Sequence, residues 1–288
     1  MTLSNDKPIS KSMPKFLTNA QVTQYHEDGY LSPINLMSVS DAIAIREQLE
    51  EAERLHPQHI NAENRNNAHL VFSFLDKLAF NQIILDVVED LIGSDYSLWG
   101  SVLFIKDPGT AHYVSWHQDA TYMGMTSNDF VTPWIALSPS NRETGCMSMI
   151  PGSHKNNIRP HDDTFAKDNI LTRGQVVQDV DESKAVDLIL QPGQMSVHHG
   201  EIVHGSQANL SERRRVGFAL QSYMSNDIRQ HIGKNMWLPV RGKVRDDDAV
   251  LLHRPVNNMD EAAVAQREVV NKNFGDILYH GAEQRRNY

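Results

Sequence analysis

Between Gly93 and Met224 the chain changes its grammar, and that stretch restricts the fold more than any other feature. The runs SLWGSVLFIK, YVSWHQDA, FVTPWIALS, CMSMIPGS, AVDLILQPG, QMSVHH and RVGFALQSYM are short, rich in β-branched, aromatic and aliphatic residues, and separated by Gly, Pro, Asn and Asp. Segments of that kind read as strands, and many strands at short intervals fit a sandwich or jelly roll. Helical patterns flank them. Thr18-Asn19-Ala20-Gln21 fits a capping box that opens a short helix ending near Gly29, and Ser38 to His56 carries apolar residues at helical spacing. Residues from Ser73 to Ile92 repeat that pattern, as does MDEAAVAQREVVNKNF near the end. The expectation is a mostly β protein with flanking α-helices. It divides into an extended arm over 1–15, a mainly helical support over 16–93, a jelly-roll core over 94–226 and a C-terminal helical extension over 227–288, all one domain. The polar, poorly periodic stretch from His161 to about Thr172 is expected to be a functional loop over the barrel mouth.

Charge narrows the partners. With 27 basic and 36 acidic side chains the net charge is −9, which disfavours a duplex-binding surface because phosphate contacts need clustered Lys and Arg. The single cysteine, Cys146, has no intramolecular partner, and no apolar stretch reads as a signal peptide or bilayer span. A cytoplasmic protein binding neither nucleic acid nor membrane is the default expectation.

Chemistry concentrates in WHQDATY, residues 116–122. On a strand, residues two apart project to one side, so His117 and Asp119 would enter one cavity and Gln118 would face away unless the backbone bends. Later, QPGQMSVHHGEIVHGSQANLSERRRVGFALQSY supplies His198, His199 and His204. Two histidines and one carboxylate on one side of a metal leave open coordination positions, which suits non-haem Fe(II) and O₂; zinc would accept the same donors. Arg215 follows His204, and in its strand Arg215, Gly217, Ala219 and Gln221 share one face while Val216, Phe218 and Leu220 share the other. Small neighbours leave room for a ligand, and a guanidinium grips a carboxylate bidentately. Arg213 and Arg214 read as solvated turn residues, Met147 and Met149 as core filler, and His154 as a turn-fixing residue.

The ordered set of WHQD, Trp134, TGCMSMIPGSHK at 144–155, HGS at 204–206 and Arg215 resembles the phytanoyl-CoA dioxygenase family of Fe(II)/2-oxoglutarate oxygenases. LTNAQVTQYHEDGY resembles the helix opening that fold, so the likeness covers most of residues 16–224. The resemblance implies a double-stranded β-helix, a cupin-like jelly roll, with Fe(II) held by His117, Asp119 and His204. It also implies that Arg215 pairs with the far carboxylate of 2-oxoglutarate, helped by Ser206 and Trp134. O₂ is then consumed with oxidative decarboxylation of the co-substrate, and a substrate C–H is hydroxylated. His198 and His199 lack the following Gly-Ser and the Arg spacing, and read as strand and turn residues.

The substrate is expected to be a small polar metabolite. Length, the HQDATYMG run and the basic end EQRRNY are similar to oxygenases of the family that hydroxylate the carbon next to phosphorus in 2-aminoethylphosphonate or its N-methylated form. In that reading Arg285, Arg286 and Asn287, from the same or a neighbouring subunit, clamp the phosphonate, which makes a homodimer one allowed assembly. Gln118 and Tyr122 become pocket walls, and Tyr122, Tyr30 or Trp116 offers a ring to the ammonium end. Alternatives are hydroxylation of another amino acid, natural product or acyl-CoA, a Zn-dependent cupin-like hydrolase or isomerase using the same three ligands, or a non-catalytic β-sandwich.

Overall fold

The structure is a computed structural model that describes residues 13–61, 64–243, 245 and 248–286. Most of the arm expected over residues 1–15 lies outside the described residues, as does Asn287. The first helix, α1 (Asn19–Asp28), starts on the anticipated capping box, with Thr18 and Gln21 bonding reciprocally, and stops at Gly29 in the left-handed region. Next comes β1 (Tyr30–Asn35), a strand inside the segment read as helical support. Helix α2 (Val39–Leu55) begins at the Ser38 cap, and the 73–92 pattern is two helices, α3 (Ser73–Ala79) and α4 (Gln82–Ile92), because Asn81 caps a fresh start.

The β region contains β2 (Tyr96–Leu98), β3 (Val102–Lys106), β4 (Val114–His117), β5 (Phe130–Ala136), β6 (Met147–Met149), β7 (His161–Asp163) and β8 (Gln175–Val177). It continues through β9 (Val186–Asp187), β10 (Gln194–His199), β11 (His204–Ser206), β12 (Arg215–Ala219) and β13 (Tyr223–Ser225). The last segment adds β14 (Met236–Arg241), β15 (Val250–Leu251) and α5 (Glu261–Leu278), so it is not purely helical. Among the described residues, a nine-stranded sheet runs β1-β10-β5-β13-β2-β14-β15, with β12 joined to β5 and β3. A smaller sheet, β4-β11-β6-β9, lines the same cavity.

Two-residue periodicity explains the layering. In β12, Val216 and Phe218, and Leu220 just after the strand, join the main core with Leu49, Leu75, Ile84 and Val88 from α2, α3 and α4, so the helices cover the outer face of the large sheet. Burying each such side chain contributes about 1.5–3 kcal/mol. The other parity, Arg215, Ala219 and Gln221, faces a cavity of about 570 Å³ enclosed by both sheets. Antiparallel register sets Lys106 opposite Arg215 and Phe104 opposite Gly217. Ala219 stands between Val102 and Trp134, and these strands present one continuous inner wall.

Candidate metal centre and co-substrate pocket

His117 ends β4 opposite His204 at the start of β11, which brings the two rings within 4.1 Å, centroid to centroid. Asp119 is not on the strand. The chain is extended at Gln118 and then enters a 3-10 turn over Asp119–Tyr122, so the turn delivers the carboxylate to the imidazoles. One donor atom from each of His117, Asp119 and His204 lies within 4.8 Å of the other two. Asp119 Oδ1 is 3.3 Å from His117 Nε2 and 3.8 Å from His204 Nε2.

Tautomers follow from the backbone. His117 Nδ1 lies 2.9 Å from the Ser115 carbonyl and 3.0 Å from that of His204, and His204 Nδ1 lies 3.0 Å from the Ile202 carbonyl. A carbonyl only accepts, so each Nδ1 carries the proton and each Nε2 lone pair points at the shared centre. Burial drives the His204 imidazole down to about 3, which keeps it neutral. Burial alone would raise the Asp119 carboxyl, but His204, His117 and His198 around it hold it well below the usual carboxylate range. With both Nδ1 atoms turned to backbone carbonyls, the two Nε2 atoms and the carboxylate converge on one point. Buried together, they fit a divalent cation, and the donor set suits iron or zinc.

His198 is a strand residue, in β10, as its sequence context suggests, and it has a further contact. Its Nε2 lies 3.3 Å from Asp119 Oδ2, a contact that is favourable only as N–H donation to the carboxylate. Nδ1 has no partner. The imidazole therefore fixes the carboxylate so that Oδ1 remains for the centre. The available signal was strand parity and proximity to HGS.

Arg215 is buried, its Nε has no hydrogen-bond partner among the described residues, and its guanidinium lies 4.6 Å from the Trp134 ring centroid. Burial lowers it to about 10, so it stays cationic at neutral pH. A buried cation without an anion costs several kcal/mol, which a carboxylate entering the cavity would offset. Ser206 also lines the cavity. Lys106, which has no distinguishing signal in the sequence, holds it from behind: its Nζ donates to the Ser206 hydroxyl and to the Ser206 and Gln207 carbonyls. Burial, with Arg215 beside it, pushes the Lys106 ammonium down to about 6. The room expected beside Gly217 is not free for a ligand, because the Trp134 ring occupies it.

Several other expectations are revised. Gln118 is fully buried away from the cavity, donating to the Asn157 and Glu201 carbonyls and accepting from Arg159 N, so it braces loops and does not form a substrate wall. Tyr122 does line the cavity, but the Arg173 guanidinium lies 3.8 Å from its ring centroid, so a cation of the chain itself occupies that face. Tyr30 and Trp116 do not line the cavity, and Trp116 donates to Glu182 instead. Arg286 lines it with its terminal nitrogens committed to the Ala166 and Asn169 carbonyls, while Arg285 pairs with Asp276 at 2.7 Å. Arg214 is no solvated turn residue, since it bridges Glu53 and Asp107. Met147 is a cavity wall as well as core, and His154 packs over Gly29.

Residues 12–217 match the family described as Phytanoyl-CoA dioxygenase (PhyH). The chain belongs to the phytanoyl-CoA dioxygenase family. One relative in the curated proteins is a probable alpha-ketoglutarate-dependent hypophosphite dioxygenase of Stutzerimonas stutzeri, 31% identical over 163 residues, 56% of each chain. The human peroxisomal phytanoyl-CoA dioxygenase is 29% identical over 134 residues, covering 45% of this chain and 40% of that one. The chain spans about half the length of the curated relatives it matches first. Among solved structures, the non-heme monooxygenase ThoJ in its apo form superposes with a TM-score of 0.81 at 27% identity, over 92% of this chain and 99% of that one. CytC3 with Fe(II) and alpha-ketoglutarate shares the fold, at a TM-score of 0.54 and 20% identity over 75% of this chain and 80% of that one. These neighbours place the family's double-stranded β-helix on the two sheets described above. No helix among the described residues is long and apolar enough to cross a membrane.

Proposed function

We propose that the protein is an Fe(II)- and 2-oxoglutarate-dependent dioxygenase that hydroxylates a small anionic metabolite, at the carbon next to phosphorus in 2-aminoethylphosphonate or its N-methylated form. One observation carries the oxygenase reading: three convergent acceptors without a donor share a cavity with a buried guanidinium that has no anion. A cation satisfies the first and a diacid the second. A zinc hydrolase would explain only the triad.

His117, Asp119 and His204 would hold the iron and Arg215 the distal carboxylate of the co-substrate, with Ser206 and Trp134 beside it. When bound, iron and 2-oxoglutarate supply the oxidising power, through decarboxylation to succinate and CO₂ at the expense of O₂. The chain contributes orientation and dryness. His198 orients the Asp119 carboxylate, Lys106 fixes Ser206, and the apolar walls from Val102, Phe104, Met147, Ile170 and Leu171 exclude water.

Charge and size favour the substrate class. Of the acidic groups lining the cavity, Asp119 belongs to the triad and Asp107 is paired with Arg214 at 2.9 Å. The basic groups are Arg65, Lys167, Arg215 and Arg286. Arg65 donates to the Ile105 carbonyl, and its Nε has no partner among the described residues. Such a lining favours an anion, and a hypophosphite dioxygenase among the relatives agrees with a phosphorus oxyanion. About 570 Å³, shared with 2-oxoglutarate, suits a small metabolite better than an acyl-CoA.

The test is an O₂ and succinate assay with Fe(II), ascorbate and a panel of aminophosphonates, amino acids and one acyl-CoA. Succinate release dependent on the phosphonate supports the full reading. Release dependent on another compound keeps the oxygenase and replaces its substrate. Activity restored by Zn²⁺ with no O₂ uptake overturns both.

A further inference from the structure

One buried side chain outside the cavity lining, Arg173, gathers three segments that are remote in sequence. It is 4% exposed. Its Nε donates to the Leu278 carbonyl at the end of α5 at 2.5 Å, and one terminal nitrogen to the His280 carbonyl just beyond it at 2.6 Å. The other terminal nitrogen lies 3.1 Å from Asp163 Oδ2 in β7. Its carbon lies over the Tyr122 ring, and the Tyr122 hydroxyl donates to the second Asp163 oxygen at 2.6 Å. Tyr122 closes the 3-10 turn that Asp119 opens, so the hub reaches the wall adjoining the triad.

The cavity lining from Lys167 to Thr172 belongs to the loop that Arg173 terminates, and the C-terminal segment is stitched along it. Tyr279 donates its hydroxyl to the Thr172 carbonyl at 3.0 Å, and Arg286 donates to the Asn169 and Ala166 carbonyls. Leu278 and Arg286 also line the cavity, so the roof is made jointly by residues 167–172 and the chain end. Guanidinium donors spent on backbone carbonyls fix the path of the chain, and the planar fork of Arg173 holds several acceptors at once, which Lys cannot do.

We infer that Arg173 is a positioning residue for substrate: it locks the C-terminal segment and the Tyr122 ring against the 164–174 loop, and so sets the shape of the cavity roof. The kinetic part rests on the hydroxylase reading above; the structural part does not. It assigns the basic chain end a role in closing the roof, in place of a direct clamp on phosphonate.

The test compares Arg173→Met and Arg173→Lys with the wild type, loaded with Fe(II) and 2-oxoglutarate. For Arg173→Met the KM for 2-aminoethylphosphonate should rise on the order of tenfold, the energy scale of one lost charge-assisted hydrogen bond. The KM for 2-oxoglutarate should stay within twofold, and Arg173→Lys should fall between. Adding Arg286→Met to Arg173→Met should cost less than Arg286→Met costs in the wild type, because both act on one roof. Amide exchange, read without any turnover, should speed up over 164–174 and 279–286 and stay unchanged in β5 and β12. If 2-aminoethylphosphonate is not turned over, the substrate assignment fails and exchange alone decides the inference. Exchange unchanged at both segments, or raised uniformly through the barrel, overturns it. So does an unaltered substrate KM where turnover is measured. Should Arg173→Met fail to fold, Arg173→Lys carries the same measurements, and the same outcomes support or overturn the inference.

Discussion

Replacing Gly217 by alanine probes how tightly the co-substrate end is built. A Cβ there would fall 1.9 Å from Trp134 Cζ2, 2.5 Å from Cε2 and 2.6 Å from Cη2. Carbon atoms settle about 3.5–4.0 Å apart, so the indole must retreat by roughly 1.5 Å or more. It has little room, being 2% exposed and packed among Ala136, Met147, Met149 and Ile202. Overpacking of this kind costs about 1–3 kcal/mol, and at roughly 2–4 °C per kcal/mol for a chain near this size the melting temperature should fall by about 4–8 °C at the middle of that range. The displaced ring also leaves the guanidinium of Arg215, a contact worth about 0.5–2 kcal/mol, so affinity for 2-oxoglutarate should drop about twofold to thirtyfold. Differential scanning calorimetry measures the first effect. Anaerobic titration of the Fe(II) protein with 2-oxoglutarate, followed by its visible band, measures the second. Trp134→Phe, which removes the benzo ring carbons, should restore most of the stability of Gly217→Ala. A melting temperature within a degree of wild type together with unchanged co-substrate affinity would mean that the indole does not fill the space beside Gly217, and the account of this wall would be wrong.

Arg215→Leu should weaken 2-oxoglutarate binding by about a hundredfold, the scale of a bidentate charge-assisted pair, while Fe(II) still binds by calorimetry. Because Arg215 is buried without an anion, the same change should leave the ligand-free melting temperature unchanged or higher. Equal loss of iron and co-substrate binding would contradict this. His198→Phe removes the donor to Asp119 Oδ2 and should weaken iron binding about tenfold to a hundredfold, checked by competition with a chelator. Acid should destabilise the fold early. Burial, with Arg267 beside His69 and His154 beside His199, holds both imidazoles at about 3, whereas the unfolded chain protonates them near 6.5. Folded pKa values below the unfolded ones mean that the unfolded state binds more protons between 6.5 and 3. The stability is complete above 6.5 and falls with pH by up to about 1.4 kcal/mol per unit for each histidine. Urea midpoints that stay constant from pH 7 to 5 would refute it.

What the sequence exposes is whatever a local period or cap encodes. The parity of β12 separates Val216, Phe218 and Leu220 in the core from Arg215, Ala219 and Gln221 at the cavity, as alternation across a two-faced sheet requires. Helix α1 follows from its capping box, and α2 from its Ser38 cap. Strand β1 is hidden because Pro33 interrupts it, and its pairing with β10 shifts register between Leu31 and Ile34, an irregularity that leaves no alternation to read. The single helical pattern over 73–92 conceals a break because Phe80 and Asn81 keep its polarity while Asn81 recaps the chain.

At the site, the residues that escaped are those whose meaning depends on a distant partner. Lys106 looks like a strand-end lysine until register sets it opposite Arg215, and His198 looks like a strand histidine until the turn after β4 swings Asp119 toward it. Gln118 misleads for the converse reason: it adjoins both ligands in sequence, yet extended geometry turns it to the other side. The electrostatics then tie these residues into one account. At one end of the cavity the Arg215 guanidinium has no acid among the lining groups free to pair with it. At the triad, two imidazole nitrogens and a carboxylate turn three acceptors toward one point. Neither imbalance is tolerable in a dry interior alone, and neither can relieve the other, because the Asp119 carboxylate is already held by His198 and the triad. A metal cation held by the triad together with a diacid facing Arg215 would resolve both at once. That complementarity is why the triad and Arg215 are better read as a single site than as two.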